Sequence, residues 1–423
     1  METTNPSATQ AAGPQNAVTI TEGIYQSKNL NVQNPYINNS VGFCVTKAMV
    51  NEYTSTNGME SSAFMKKYTF RFTAVFFFSL LVFSGNMCGQ EKQISKGAAK
   101  RIQVHGKLLE GNLSGDSANR YVSVYLPASY QTNSTKRYPV VYFLHGYTDD
   151  DAKFYGFKKH WMILPPILDT VFTKDAAHEM IVVTPDAYTL FQGSMYSNSI
   201  TTGNWEDFVA KELVAYIDSH YRTIAKKESR GLCGHSMGGY GALRIGEKNP
   251  DVFSTVYLLS PCCLNSFPMS AEAVPPSFLR ADSIKTTEEM QKTDFFTRIL
   301  FASAAAWSPN PTNPPFYLDL PVKDGKLQPA VLQKWDANRP LNNLDQYIFN
   351  IKKLTAIGFD AGTRDADIAE SIKTLDSELN KYNIKHSFEI YEGDHINRVA
   401  DRIGKKMLQF FSQNLSFEET RKK

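Results

Sequence analysis

The sequence predicts an α/β fold: a mostly parallel central sheet with helices on both faces and a cap insertion. Three observations carry this reading. Residues 138–144 and 180–184 are continuous β-branched and aromatic runs, the composition of strands buried on both faces. Segments of helical periodicity follow or separate such strands at 208–221, 240–247 and 366–382, and 387–391 reads as the last strand. Residues 101–109 and 120–126 read as antiparallel strands with Gly115-Asp116 marking the turn between them. Alternating β and α with one antiparallel entry is the pattern of a parallel sheet covered on both sides.

The 423 residues have an ordinary globular composition, and α/β folds often use about 250 residues or more as one domain. A formal net charge of +3, with dispersed basic residues, excludes nucleic acid as an expected partner. Arg421-Lys422-Lys423 reads as a solvated tail. Residues 1–89 differ from the rest, with five Lys or Arg, four Glu and no Asp. Residues 1–64, rich in Asn, Thr and Ser, read as a disordered stretch or a mistaken upstream extension. From Met65-Lys66-Lys67 the order is basic, apolar (72–83) and small (Ser84-Gly85, or Gly89), which reads as a bacterial export signal over 65–89. The apolar run falls short of the roughly 20 residues of a spanning helix, so no stable membrane span is expected. A secreted or periplasmic protein follows, with the folded domain at 90–423. Cys88 raises a lipoprotein alternative, but Gly85 and Met87 stand where such signals carry Leu and a small residue.

The other cysteines, Cys44, Cys233, Cys262 and Cys263, lack metal-ligand spacing, and no metal or cofactor is implied. A Cys233–Cys262 bridge would join adjacent strands, but buried free thiols are the expectation. Residues 262–345 break the β/α rhythm with many prolines and scattered aromatics, and read as an insertion capping the carboxyl ends of the strands.

Gly234-His235-Ser236-Met237-Gly238, between the apolar run 231–233 and the helix-like run 240–247, is the most informative stretch. Strand, tight turn and helix with small residues two before and two after a serine describe a nucleophile elbow. The turn pushes the Ser236 hydroxyl out of the sheet, and the Met237 N–H lies at the helix start to stabilise an oxyanion. A serine hydroxyl needs a base, and the base an orienting carboxylate. The elbow resembles that of α/β hydrolases, which implies the chain order serine, acid, histidine, and only His386 and His395 follow Ser236. His386 opens a strand, where a half-exposed structural role is the default; His395 lies in the loop after it and is the candidate base. For the acid, Asp365 closes the loop after the strand ending at Phe359, whereas the strand-end Asp360 is expected to hold loop N–H groups and Asp367 to sit in a first helical turn. The second oxyanion donor is expected at Tyr147 N–H, with Gly146 permitting close approach. His145 and His235 are expected to be structural. Tyr147, Tyr188, Phe191 and Trp205 are candidates to line the substrate pocket together with Gly146.

Taken together these residues resemble the esterase family of α/β hydrolases that includes S-formylglutathione hydrolases, feruloyl and acetylxylan esterases, enterochelin esterases and mycolyltransferases. The likeness covers about residues 101–413 and rests on residues 142–146, on Gly203-Asn204-Trp205-Glu206, on 231–241 and on Asp360-Ala361-Gly362-Thr363-Arg364-Asp365. It implies an α/β-hydrolase fold and a triad at Ser236, Asp365 and His395. The expected function is a serine esterase acting through an acyl-enzyme on small-molecule or polysaccharide-linked acyl or aryl esters. An acyltransferase to a sugar hydroxyl is the near alternative, and a non-catalytic binding protein the distant one. The export signal departs from cytosolic S-formylglutathione hydrolases, and the insertion carries no motif tied to a sugar or glutathione.

Overall fold

The computed structural model describes residues 93–266 and 274–417, together with the backbone of 23–24. Residues 65–89, where an export signal is expected, and Cys44, Cys88 and the Arg421–Lys423 tail lie outside the described residues. A nine-stranded sheet runs in the order β1-β2-β3-β5-β4-β8-β9-β12-β13. Its antiparallel side is β1 (Gly23–Ile24), β2 (Ala98–His105) and β3 (Asn119–Leu126). Its parallel side is β5 (Ile181–Pro185), β4 (Val140–Leu144), β8 (Arg230–His235), β9 (Thr255–Leu259), β12 (Ala356–Gly362) and β13 (Ser387–Tyr391). Two short hairpins, β6 (Asn198–Ser199) with β7 (Gly203–Asn204) and β10 (Val322–Lys323) with β11 (Lys326–Leu327), stand apart from it.

The continuous apolar strands divide by the two-residue period between two cores. Val140, Tyr142 and Leu144 point to one face, and Val141 and Phe143 to the other. On the first face lie the helical run 205–220, the elbow helix Met237–Lys248 and Ala366–Lys381; on the second, Leu164–Thr173 and the C-terminal run 399–414. Each fully buried Val, Leu or Phe contributes on the order of 1.5–3 kcal/mol, so both layers of helices are needed to cover the sheet. Gly231 of β8 makes room for one of them: a Cβ there would stand 2.5 Å from the Phe411 ring.

The structure shifts several predicted boundaries for identifiable reasons. The strand expected at 101–109 ends at His105, because Gly106 lies against the Phe208 ring, where a Cβ would come within 2.8 Å, and a 3₁₀ turn Lys107–Leu109 follows. The elbow helix begins at Met237, immediately after the serine. Helices Leu164–Thr173 and 399–414 had no counterpart in the sequence reading. Between β9 and β12 the chain forms helices Pro276–Ser283, Thr287–Lys292, Phe295–Trp307, Pro329–Asp336 and Pro340–Ile351. Three of its prolines, Pro276, Pro329 and Pro340, open helices, where a missing N–H is harmless. Pro340–Ile351 packs on the elbow helix, so the boundary placed at 345 falls inside a helix of the α/β body.

Register brings the site loops to one edge. Leu144 pairs with Gly234, His235 with Leu259, Leu259 with Asp360, and Gly362 with Tyr391. The loops after β4, β8, β12 and β13 therefore leave the sheet side by side, at the carboxyl ends of its parallel strands.

Gly238→Ala drives a Cβ to 2.0 Å from Leu144 O, a backbone atom, and is expected to cost several kcal/mol or abolish soluble expression. Gly115→Ala, at φ 73° with open space around it, is expected to cost only about 1 kcal/mol. Chemical denaturation of the two variants beside the parent checks the contrast.

Candidate active site

The turn after β8 holds Ser236 at φ 56°, ψ −115°, a conformation forced on a residue with a side chain. Glycines on both sides of the serine are sterically required. A Cβ at Gly234 would lie 2.2 Å from the Gly238 carbonyl, and one at Gly239 2.9 Å from Pro261 Cα. Three backbone hydrogen bonds fix the turn: Ser236 N–H to Leu259 O (3.0 Å), Tyr240 N–H to Ser236 O (3.0 Å) and Cys262 N–H to Ser236 O (3.1 Å). The serine itself stays half-buried, open to a substrate.

The structure brings Ser236, His395 and Asp365 together. His395 Nε2 lies 2.9 Å from Ser236 Oγ, and Nδ1 lies 2.7 Å from Asp365 Oδ2. With the proton on Nδ1, the ring donates to Asp365 and accepts from the serine hydroxyl. The two loops are tied together by Thr363 N–H to Tyr391 O and Arg364 N–H to Gly393 O, both 2.8 Å. Gly362 makes this approach feasible, since a Cβ there would stand 2.4 Å from Gly393 O. Asp394 anchors the histidine loop by accepting from the Ile396 and Asn397 N–H groups, which hold its carboxyl below the usual range.

Gly146 sits beside the nucleophile, a Cβ there being 3.5 Å from Ser236 Cβ. Neither the Tyr147 nor the Met237 N–H has a protein acceptor among the described residues, which leaves both able to donate to an oxyanion. Their side chains converge on Gly193, where a Cβ would meet Met237 Sδ at 2.7 Å and Tyr147 Cδ2 at 2.8 Å. His145 props the oxyanion loop: Nδ1 donates to Gly146 O and Nε2 accepts from Ala187 N–H, both at 2.8 Å.

Several expected roles are revised. Asp360 holds no loop N–H groups with its carboxylate; it is wholly buried, accepting from Tyr257 OH (2.7 Å) and Arg402 Nε (2.8 Å). Burial pushes its pKa up to about 6 despite Arg402. His386 keeps its structural role: the residue is half-buried, with its imidazole stacked on Phe359 and bonded to Asp376. Trp205 does not line a pocket: it is 1% exposed, packed against Phe208 beneath Arg120, and donates to Thr202 O. Phe191 is likewise sealed in the core. Tyr188 lines a cleft of about 330 Å³ with Asp116, Thr189, Leu190, Gln192 and Gln291, a lining that includes none of Ser236, His395 and Asp365. No sequence pattern marks Phe295, whose ring meets Tyr147 edge-on at 5.5 Å. Its place depends on how the insertion folds. Cys233, Cys262 and Cys263 are free thiols.

His235 does more than the generic structural role expected of it. Nε2–H donates to the His395 carbonyl at 2.8 Å, and the two rings lie 4.8 Å apart. Burial, then the neighbouring His395, drives its pKa down to about 4, and Nδ1 is buried without a partner. Because the unfolded chain protonates this histidine near its ordinary value of about 6.5, the unfolded state binds more protons in the window from about 6.5 to about 4. Stability from this group is therefore full above the window and falls as pH drops through it. Asp360, raised to about 6, acts with the opposite sign between that value and the ordinary carboxylate pKa. His235→Leu is expected to flatten the loss of stability on acidification, seen as a smaller fall in thermal midpoint from pH 7 to pH 4.5. It should also lower kcat with little change in KM, because His395 loses its tether. An unchanged acid slope would show that the buried imidazole does not govern it.

Comparisons agree with this architecture. Residues 117–399, more than half of the chain, match the Esterase family, described as "Putative esterase". Two curated relatives from Mycobacterium tuberculosis, Esterase MT1326 (strain CDC 1551 / Oshkosh) and Esterase Rv1288 (strain ATCC 25618 / H37Rv), are each 35% identical over 135 residues. That stretch is 31% of this chain and 26% of each relative, so the chain spans about a quarter of the length of the curated relatives it matches. Two solved structures share the fold. A ferulic acid esterase superposes with a TM-score of 0.52 at 20% identity, over 76% of this chain and 99% of that one. The substrate-bound fluorophosphonate-binding serine hydrolase FphF of Staphylococcus aureus gives 0.50 at 17%, over 75% and 99%. A central mostly parallel sheet, an elbow serine after β8 and a match across residues 117–399 lead to one conclusion: this chain belongs to the esterase family of α/β hydrolases.

Proposed function

We propose that the protein cleaves carboxylic esters by two-step acyl transfer through Ser236. The observation that carries this is the hydrogen-bond relay from Ser236 Oγ to His395 (2.9 Å) and on to Asp365 (2.7 Å). His395 takes the serine proton as Oγ attacks the ester carbonyl, then gives it to the leaving alcohol. Asp365 holds the imidazole in the productive tautomer and stabilises the imidazolium. The Tyr147 and Met237 N–H groups hold the oxyanion, with the start of helix Met237–Lys248 behind it. Water, activated by the same histidine, then releases the acid.

The aromatic Tyr147–Phe295 contact beside the oxyanion loop supports a short acyl or aryl group on the acid side. The basic, apolar and small run from Met65 supports export, and with it an alcohol side that belongs to a carbohydrate or another extracellular ester. N-terminal sequencing of chain recovered from the medium or periplasm tests export: a mature start near Gln90 is expected, and retention of the 65–89 segment inside the cell would overturn it.

Incubation with a fluorophosphonate probe is expected to label Ser236, and p-nitrophenyl acyl esters to be turned over. Ser236→Ala should abolish labelling and lower kcat by about 10⁴-fold or more, and Asp365→Asn by at least about 10²-fold. A folded protein that takes up no probe would sink the assignment.

A further inference from the structure

Cys262 and Cys263 are adjacent in the chain, and their sulfurs share a hydrogen bond at 2.8 Å. Successive side chains of an extended chain point to opposite sides, so two neighbouring sulfurs meet only where the backbone turns. Cys263 supplies that turn with φ 61°, a left-handed conformation that costs a β-substituted residue of order 1–2 kcal/mol. A strained backbone that brings two thiols together is an observation from which function is inferred. Both residues are half-buried and pack at the edge of the core, whereas Cys233 is sealed inside it with its thiol pushed up by burial.

The pair is joined to the nucleophile. Cys262 N–H donates to Ser236 O, and the preceding Pro261 packs on Gly239 of the elbow. We propose that Cys262 and Cys263 are a reversible redox site, closing to a disulfide between adjacent residues by exchange with a small-molecule disulfide, and that closure lowers ester cleavage at Ser236. The second half of this proposal rests on the esterase reading above.

The exchange balances without a further reactant. The Cys263 thiolate attacks one sulfur of the small disulfide, the S–S bond breaks, and one thiolate leaves. The Cys262 thiolate then attacks Cys263 Sγ, forming the intramolecular bond and expelling the second thiolate. The two protons of the protein thiols end on the two released small thiols, and the small disulfide is reduced. Cys263 is suited to attack first, because its hydrogen bond with Cys262 lowers its thiol pKa while raising that of Cys262. Adjacent Cα atoms across a trans peptide lie about 3.8 Å apart, below the usual separation of about 4.4–6.8 Å in disulfides. The closed ring therefore has to be accommodated by the backbone of 262–263, and the Cys262 N–H at its start is one of the groups bonded to the Ser236 carbonyl. Strained disulfides of this kind are the labile ones, suited to reversal.

The test uses the full chain, reduced with dithiothreitol and then exposed to excess oxidised glutathione. Alkylation and peptide mapping by mass are run beside turnover of p-nitrophenyl acetate. The peptide holding both cysteines is expected two hydrogens lighter and unalkylated. Turnover should fall by about tenfold, the scale of a sub-ångström displacement of the nucleophile, and dithiothreitol should restore both. Cys263→Ser should keep the reduced-state turnover and lose the sensitivity. Two alkylatable thiols after the oxidant, or a persistent glutathione adduct in place of the ring, overturn the redox site. A closed ring with unchanged turnover overturns its coupling to Ser236. A chain that closes the ring yet cleaves no ester in either state refutes the esterase reading while upholding the redox site.

Discussion

The carbonyl oxygen of Leu144, at the end of β4, sets the geometry of the active site. Gly238 approaches it so closely that a Cβ would stand 2.0 Å away, so the elbow helix docks over the end of β4 only because position 238 has no side chain. Docking there puts the helix start beneath Ser236 and aligns the Met237 N–H with the loop that carries Tyr147. The turn holds Ser236 in a conformation that costs of order 1–3 kcal/mol. Three backbone hydrogen bonds, each worth about 0.5–1.5 kcal/mol, offset that strain. Two of them come from β9 and the segment just after it. The elbow is therefore a joint product of three parallel strands rather than a property of the motif alone.

Electrostatics at the histidine depend on a neighbour that stays neutral. In the proposed mechanism His395 takes the serine proton and becomes a cation 4.8 Å, ring to ring, from His235. A second positive charge there would oppose it by about 3 kcal/mol at an effective dielectric constant of 20, more than two decades in rate. Burial prevents this, because a pKa of about 4 leaves His235 neutral near pH 7. The same neutral ring still donates to the His395 carbonyl, so it steadies the loop without competing for the proton.

Much of this was legible in the sequence because it is local. The elbow is a five-residue pattern, and the parallel strands announce themselves as apolar runs. The separation of Asp365 from Asp360 follows from which of them lies in a loop. What escaped is what depends on distant partners. Asp360 and His386 find theirs in Arg402 and Asp376, on helices whose packing no local pattern specifies. Trp205 and Phe191 look like pocket residues in a list of aromatics, yet the first core closes over both. The insertion was read as a break in rhythm because prolines usually punctuate, whereas Pro276, Pro329 and Pro340 start helices. The run 399–414 was missed altogether, and it is the layer that covers Gly231 and holds Arg402 against Asp360.

Tyr147 joins the insertion to the chemistry. Its N–H is one of the two amides at the nucleophile with no protein acceptor among the described residues, while its buried ring packs on Gly193 and meets Phe295 edge-on. Phe295 and Phe296 open the helix Phe295–Trp307 and remain 45% and 70% exposed. Each forgoes part of the roughly 1.5–3 kcal/mol that full burial of a phenylalanine contributes. Stability alone does not account for an exposed Phe295 ring set against Tyr147. In the proposed mechanism the residue whose amide holds the oxyanion is therefore also the one whose ring meets the insertion.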